Sequence, residues 1–190
     1  MTFAHERLSR TDRFHGAIFS VYTDEITMSD GTSAARDVVE NRGAVVVVAL
    51  DDQDQVVLIK QYRHPVRSHL WELPAGLRDV EGEDPALTAA RELAEEADLT
   101  AGRFDHLVDL HTSPGFSDEF VLVYLARDLA EVPAADRHVR TAEEADIEVH
   151  RVPLDKAVEM ALRGEITNAA AVAGLLAAAR ARDTAWALLR

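Results

Sequence analysis

Arg91-Glu92-Leu93-Ala94-Glu95-Glu96-Ala97-Asp98-Leu99, preceded by Gly76 and Glu83, is the stretch from which the rest of the chain can be read. A helix start stands just upstream at Asp84-Pro85, since aspartate is a favoured N-cap and proline suits the first turn. The helical period runs on to about Asp98, with Leu87, Ala90, Ala94 and Ala97 recurring at three and four residues as an expected buried stripe. Glu92, Glu95 and Glu96 stand at i, i+3 and i+4, so their carboxylates project together, and the pattern places them opposite that stripe. Like charges so spaced cost about a few tenths of a kcal/mol per pair. A divalent cation would turn the repulsion into ligation, and hard oxygen ligands favour magnesium or manganese. A solvated acidic face is the plain alternative, and three glutamates alone do not decide between the two.

Outward from this helix the pattern changes period. Ala44-Val-Val-Val-Val-Ala-Leu50 reads as a strand buried on both faces. Asp51-Asp-Gln-Asp54 makes a polar turn, and Gln55-Val-Val-Leu-Ile-Lys-Gln-Tyr62 is expected to return as its hairpin partner. Phe120 to Leu125 and Ala145 to Val152 read as further strands, and Leu154 to Arg163 and Asn168 to Arg182 as helices. In the first forty residues, Ile18 to Tyr22 and Glu25 to Met28 alternate like short strands, with a Ser29-Asp30-Gly31 turn after them. So small a meander cannot bury a core alone. The expected organisation is an N-terminal β-strand segment over 1–40, serving dimerisation and substrate contacts, and a catalytic domain over 41–190. The economical architecture is an α/β (α+β) fold, one mixed β-sheet sandwiched between helices.

Bulk properties narrow the function classes. The 190 residues are 47% hydrophobic but only 6% aromatic, so packing should be helix against sheet. No run approaches eighteen uncharged apolar residues, which excludes a helical membrane span. The start, Met-Thr-Phe-Ala-His-Glu-Arg, shows no apolar h-region, so no export signal is expected and a cytoplasmic location fits. With no cysteine, disulfides, zinc ribbons and thiol catalysis are excluded. The net charge of -14 argues against nucleic acid as a partner, because such binders need a basic stripe. A small phosphate substrate stays open, provided arginine, lysine or a metal supplies local positive charge.

The spacing Gly76, Glu83, Arg91-Glu92-Leu93-Ala94-Glu95-Glu96-Ala97-Asp98-Leu99 resembles the Nudix box: Gly, five residues, Glu, seven residues, then Arg-Glu-apolar-x-Glu-Glu-x-Gly-apolar. Two departures stand out. Six residues rather than five separate Gly76 from Glu83, and Asp98 stands where the family has glycine. That glycine ends the helix in a left-handed conformation, which aspartate tolerates better than most residues. The resemblance implies a Nudix fold with Glu92 and Glu96 as chief metal ligands. It makes Glu95 a further ligand or catalytic orienting group, and adds the backbone carbonyl of Ala75 as a ligand. Glu83 and Arg91 would form the ion pair fixing loop to helix, unless they form an ordinary surface salt bridge.

Outside the box, Lys60-Gln-Tyr-Arg63, Trp71-Glu-Leu-Pro-Ala-Gly76 and Ser113-Pro-Gly-Phe-Ser-Asp-Glu119 resemble the ADP-ribose pyrophosphatases, as does Pro114 about fifteen residues beyond the box. Arg63 then either forks onto a phosphate or lies over Tyr62 at the surface. Glu119 either accepts from a ribose hydroxyl or is a loop carboxylate in water. Phe19 and Tyr22 lie where similar enzymes carry an adenine-stacking aromatic, with core packing the favoured alternative for each. A mobile loop at Glu143-Glu144 brings a general base in similar enzymes. Glu144 is the first choice here and Glu143 the neighbouring one.

What the resemblance implies is a magnesium-dependent homodimer that hydrolyses ADP-ribose to AMP and ribose 5-phosphate. The nearer rival is another nucleoside diphosphate derivative, a sugar nucleotide or dinucleoside polyphosphate. The more distant rival is a non-catalytic Nudix-like binding module, which would be expected to lose box carboxylates that this chain keeps.

Overall fold

A computed structural model of the chain describes residues 5–141 and 144–189. The chain divides into two compact units, one of residues 1–43 with 111–120 and the other of 44–110 with 121–190. Among the described residues there are ten strands and three α-helices.

The first unit is built on an antiparallel sheet of β1 (Arg7–His15), β2 (Phe19–Thr27) and β3 (Ser33–Asn41), in that order. The two short strands expected over 18–28 are one continuous strand, β2, and the turn after it sits at the expected place with Gly31 at φ 84°. Residues 111–120 join this unit along β3. The Val39 amide donates to the Phe116 carbonyl at 2.8 Å, and the Asn41 amide to Asp118 Oδ1 at 2.8 Å.

The second unit holds two sheets where one was expected. β4 (Ala44–Ala49), β7 (Ala75–Leu77), β9 (Phe120–Glu131) and β8 (Leu99–His111) form the order β7-β4-β9-β8, with β4 parallel to β9 and antiparallel to β7. β5 (Gln55–Arg63), β6 (Ser68–Glu72) and β10 (Glu148–Pro153) form the antiparallel order β10-β5-β6. The expected β4–β5 hairpin is therefore corrected: beyond the single Leu50–Val56 bridge the two strands belong to different sheets. The physical reason is that both hydrogen-bonding edges of each strand are taken, those of β4 by β7 and β9 and those of β5 by β10 and β6. Val46, Val48 and Leu50 of the β4 run join one core with Leu154, Ala157, Leu175 and Ala178 of helices α2 (Leu154–Leu162) and α3 (Ala169–Asp183). The alternate residues Val45, Val47 and Ala49 join a second core with Ala89, Leu93 and Ala97 of α1 (Pro85–Ala97).

α1 begins as its sequence requires, with Asp84 Oδ1 accepting from the Ala86 amide at 2.9 Å and Pro85 in the first turn. It ends on Asp98 at φ 56°, ψ 34°, whose amide donates to the Leu93 carbonyl. Its faces differ from the expected stripe. Leu87 is 62% exposed, while the inward side carries Thr88, Ala89, Glu92, Leu93, Glu96 and Ala97. Two of the three motif glutamates thus lie on the buried face, where hydrophobic patterning placed alanine and leucine.

Candidate active site

The site grows from the fit of α1 against β7. A Cβ on Gly76 would fall 2.0 Å from Cδ of Glu92, so only glycine leaves room for that carboxyl against the strand. One turn further along, Glu96 Oε2 accepts from the Ala75 amide at 2.8 Å. Two successive turns of the helix therefore place a carboxylate on adjacent residues of one short strand. Both are withdrawn from water, Glu92 being 8% and Glu96 6% exposed.

Burial is the main electrostatic fact. It pushes the Glu96 carboxyl up to about 8, with the Ala75 amide and Arg63 pulling down and Glu92 and Glu144 pushing further up. Burial also raises Glu92, opposed by Arg91 and reinforced by Glu95 and Glu144. Arg91 is the counter-charge, its Nη1 lying 2.7 Å from Glu92 and 3.6 Å from Glu95. Its Nη2 is 3.6 Å from Asp79 and 3.7 Å from Glu83, yet is buried without a hydrogen bond among the described residues. Burial works against the Arg91 charge, but Glu92, Glu95, Glu83 and Asp79 outweigh it and its pKa is raised.

The groups that the sequence offers to a metal are all oxygen: the Glu92, Glu95 and Glu96 carboxylates and the Ala75 peptide carbonyl. That chemistry fits a hard divalent cation, and two buried carboxylates with raised pKa are what such an ion would relieve. Among the described residues, however, no three acidic or histidine side chains already converge as a ligand cage. Glu92 Oε1 rests on Arg91 and Glu96 Oε2 on the Ala75 amide, so an ion held by these carboxylates would add to or replace those partners.

The remaining expected residues fall in different places. Arg63 ends β5 with its fork closed on Glu72, at 3.0 Å from Nε and 2.7 Å from Nη2. Glu72 is 2% exposed and also accepts from Gln61 Nε2 at 3.2 Å. Glu144 belongs to the same unit as the carboxylates, and its Oε2 lies 3.4 Å from His138 Nε2. Glu143 lies outside the described residues. Glu119 and Phe19 belong to the first unit. Glu119 accepts there from Thr112 Oγ1 and, at 3.4 Å, from Asn41 Nδ2. Phe19 is 42% exposed beside Phe14, against the core packing favoured for it, whereas Tyr22 is buried under the Arg10 guanidinium.

Sequence reasoning passed over Glu72, His138 and Arg140. Glu72 had a signal, an acid inside an apolar run four residues before Gly76; the other two had none, because only folding brings them to Glu144 and to Asp98.

The carboxylate-bearing helix docked through Gly76 onto β7 is the stretch in which the sequence resembles the Nudix box, and the comparisons agree with that resemblance. The NUDIX domain model matches residues 40–173, and the chain belongs to the Nudix family of hydrolases, which cleave pyrophosphate bonds. It is similar to the ADP-ribose pyrophosphatase of Mycobacterium tuberculosis, 49% identical over 90% of this chain and 82% of that one. It is also similar to the ADP-ribose pyrophosphatase of Bacillus subtilis, 32% identical over 85% of each. The crystal structure of an ADP compounds hydrolase shares the fold at a TM-score of 0.84 and 22% identity, covering 98% of both chains.

Proposed function

We propose that this Nudix hydrolase cuts the diphosphate of ADP-ribose to give AMP and ribose 5-phosphate, with magnesium as its metal and manganese able to replace it. The observation that carries the hydrolysis is the pair of buried carboxylates, Glu92 and Glu96, against Gly76 and Ala75. The substrate rests on the two ADP-ribose pyrophosphatases to which the chain is similar over 85% or more of its length.

In this reading Glu92 and Glu96, with Glu95 and the Ala75 carbonyl, hold the metal. Bound there, it would screen the diphosphate charge in an acidic site and stabilise the charge building on the departing oxygen. Water attacks one phosphorus, the bond from that phosphorus to the bridging oxygen breaks, and the bridging oxygen leaves with the other phosphate. Glu144 takes the proton of the attacking water, with Glu143 the neighbouring candidate. Arg91 holds Glu92 and Glu95 in place, tied to the loop through Glu83 and Asp79. Arg63 supplies the cation nearest the phosphates, Glu119 a ribose contact and Phe19 a face for the adenine.

The same proposal makes the enzyme a cytoplasmic homodimer in which residues 1–40 serve pairing and substrate contact and 41–190 the chemistry. Its support is the apolar surface of the first unit: every residue of β1 is exposed, and Leu8, Phe14, Ile18 and Phe19 are each more than four-tenths exposed in the single chain.

Hydrolysis of ADP-ribose with magnesium in heavy-oxygen water, followed by mass analysis of both products, tests activity and point of attack together. A parallel panel of sugar nucleotides and dinucleoside polyphosphates is the control. Faster turnover of one of those at equal concentration would overturn the assignment to ADP-ribose, and no turnover of any would overturn the hydrolase role.

A further inference from the structure

The helix that carries Glu92 and Glu96 ends on an aspartate where the family pattern has glycine. Asp98 is costly there on two counts: a side chain in a left-handed conformation, and a negative charge at the negative end of a helix. Its carboxylate has a use, however. Asp98 Oδ2 accepts from Arg140 Nη2 at 2.7 Å, while Arg140 Nε donates to the Glu95 carbonyl at 3.0 Å. One guanidinium thus caps the last turn of α1 and grips the residue that follows it. Both side chains are only about one-fifth exposed, so the charge-assisted bond is partly shielded from water.

Arg140 also opens the stretch that carries Glu144. The Glu144 amide donates to the carbonyl of Thr141, the residue after Arg140, at 3.0 Å. On the other side of Arg140, His138 Nε2 stands 3.4 Å from Glu144 Oε2. Arg140 is therefore tied to α1, and Glu144 to Thr141 and His138 on either side of Arg140.

We propose that Arg140, held by Asp98, is a positioning residue that fixes the Glu144 loop to the end of the helix bearing Glu92 and Glu96. This rests on the reading of Glu144 as the general base. The departure from glycine is then the acceptor that the clasp needs.

The test uses the full chain with ADP-ribose and magnesium, reading kcat, KM and the melting temperature of Asp98→Gly, Asp98→Asn, Arg140→Ala and Glu144→Gln, alone and combined. Asp98→Gly relieves the left-handed side chain and the charge at the helix end, so its melting temperature should hold or rise. Its kcat should nevertheless fall roughly ten- to a hundredfold, the scale of a misplaced catalytic group, with KM little changed. Asp98→Asn keeps an oxygen acceptor and should retain most of the turnover. The double variant Asp98→Gly with Arg140→Ala should be no slower than the slower single, and Asp98→Gly should add nothing to Glu144→Gln. A fully active Asp98→Gly beside a slow Glu144→Gln overturns the clasp alone, as does a loss that multiplies in full with Glu144→Gln. A fully active Glu144→Gln overturns the base assignment and, with it, this role for Arg140.

Discussion

At Glu96 the surroundings favour a proton and the proposed chemistry favours its loss. Burial first, then the neighbouring carboxylates, lift its carboxyl from 4.5 to about 8. The folded metal-free protein therefore holds this proton more tightly than the unfolded chain does. The stability it contributes is complete below about pH 4.5 and is lost as pH rises through about 8. A cation that displaces the proton reverses this loss. Magnesium should raise the melting temperature more at pH 8.5 than at pH 6, and its affinity should weaken by up to roughly tenfold per pH unit below about 8. Equal stabilisation at both pH values would show that Glu96 is not a ligand. Because glutamine imitates the protonated acid, Glu92→Gln and Glu96→Gln should keep or raise the melting temperature of the metal-free protein. Each should lower turnover by at least about a hundredfold. Near-normal turnover in both folded variants would remove the metal role. Glu144→Gln should cost roughly two to four orders of magnitude in kcat, the range of a general base, with metal affinity little changed. A parallel Glu143→Gln identifies the base if it is the adjacent residue instead.

At the scale of elements the decisive contact is α1 against β7. In Gly76→Ala the new Cβ would meet Glu92 Cγ, Cδ and Oε1 at 2.4, 2.0 and 2.1 Å, so the carboxyl must swing away or the helix must lift. Turnover should fall by at least about a hundredfold, while stability drops only by about 1–3 kcal/mol, as for other overpacked sites. Full activity in the Gly76→Ala variant would mean that Glu92 works from another position. This contact also explains why α1 was only half legible. Its start, its length and its left-handed aspartate end follow from local chemistry, and the structure has all three. Its orientation does not, because the period of leucine and alanine assumes that charge faces water, and here two glutamates face in. Similarly, β4 was readable as doubly buried from its valines, but which sheet β5 joins is decided by its pairing with β6 just after it and with β10 far along the chain. β8 escaped notice because it stands at the edge of its sheet, where Arg103, Asp105 and Asp109 interrupt the apolar alternation. The box carboxylates were legible from spacing, whereas Arg63 closing on Glu72 and Arg140 on Asp98 were not, since neither pair has a local pattern.

For the whole molecule, the pairing of subunits is open to a complementation experiment. Glu92→Gln chains, disabled in the metal site, are mixed with Phe19→Ala chains, disabled at the exposed aromatic of the first unit. If each site takes Phe19 from the partner, a mixed dimer contains one intact site and activity should rise after subunit exchange. A monomer by sedimentation at micromolar concentration would end the dimer, and a dimer without rescue would end the shared aromatic. The first unit has one more property with reach beyond catalysis. It draws on residues 1–43 and 111–120, so its parts leave the ribosome at widely separated times. Val39 and Asn41 meet the Phe116 carbonyl and the Asp118 carboxylate, each 77 positions further on, only after more than seventy further residues have been made. The earlier segment of the unit is thus completed late, and until then the Val39 and Asn41 amides on the nascent chain lack the partners they have in the folded protein.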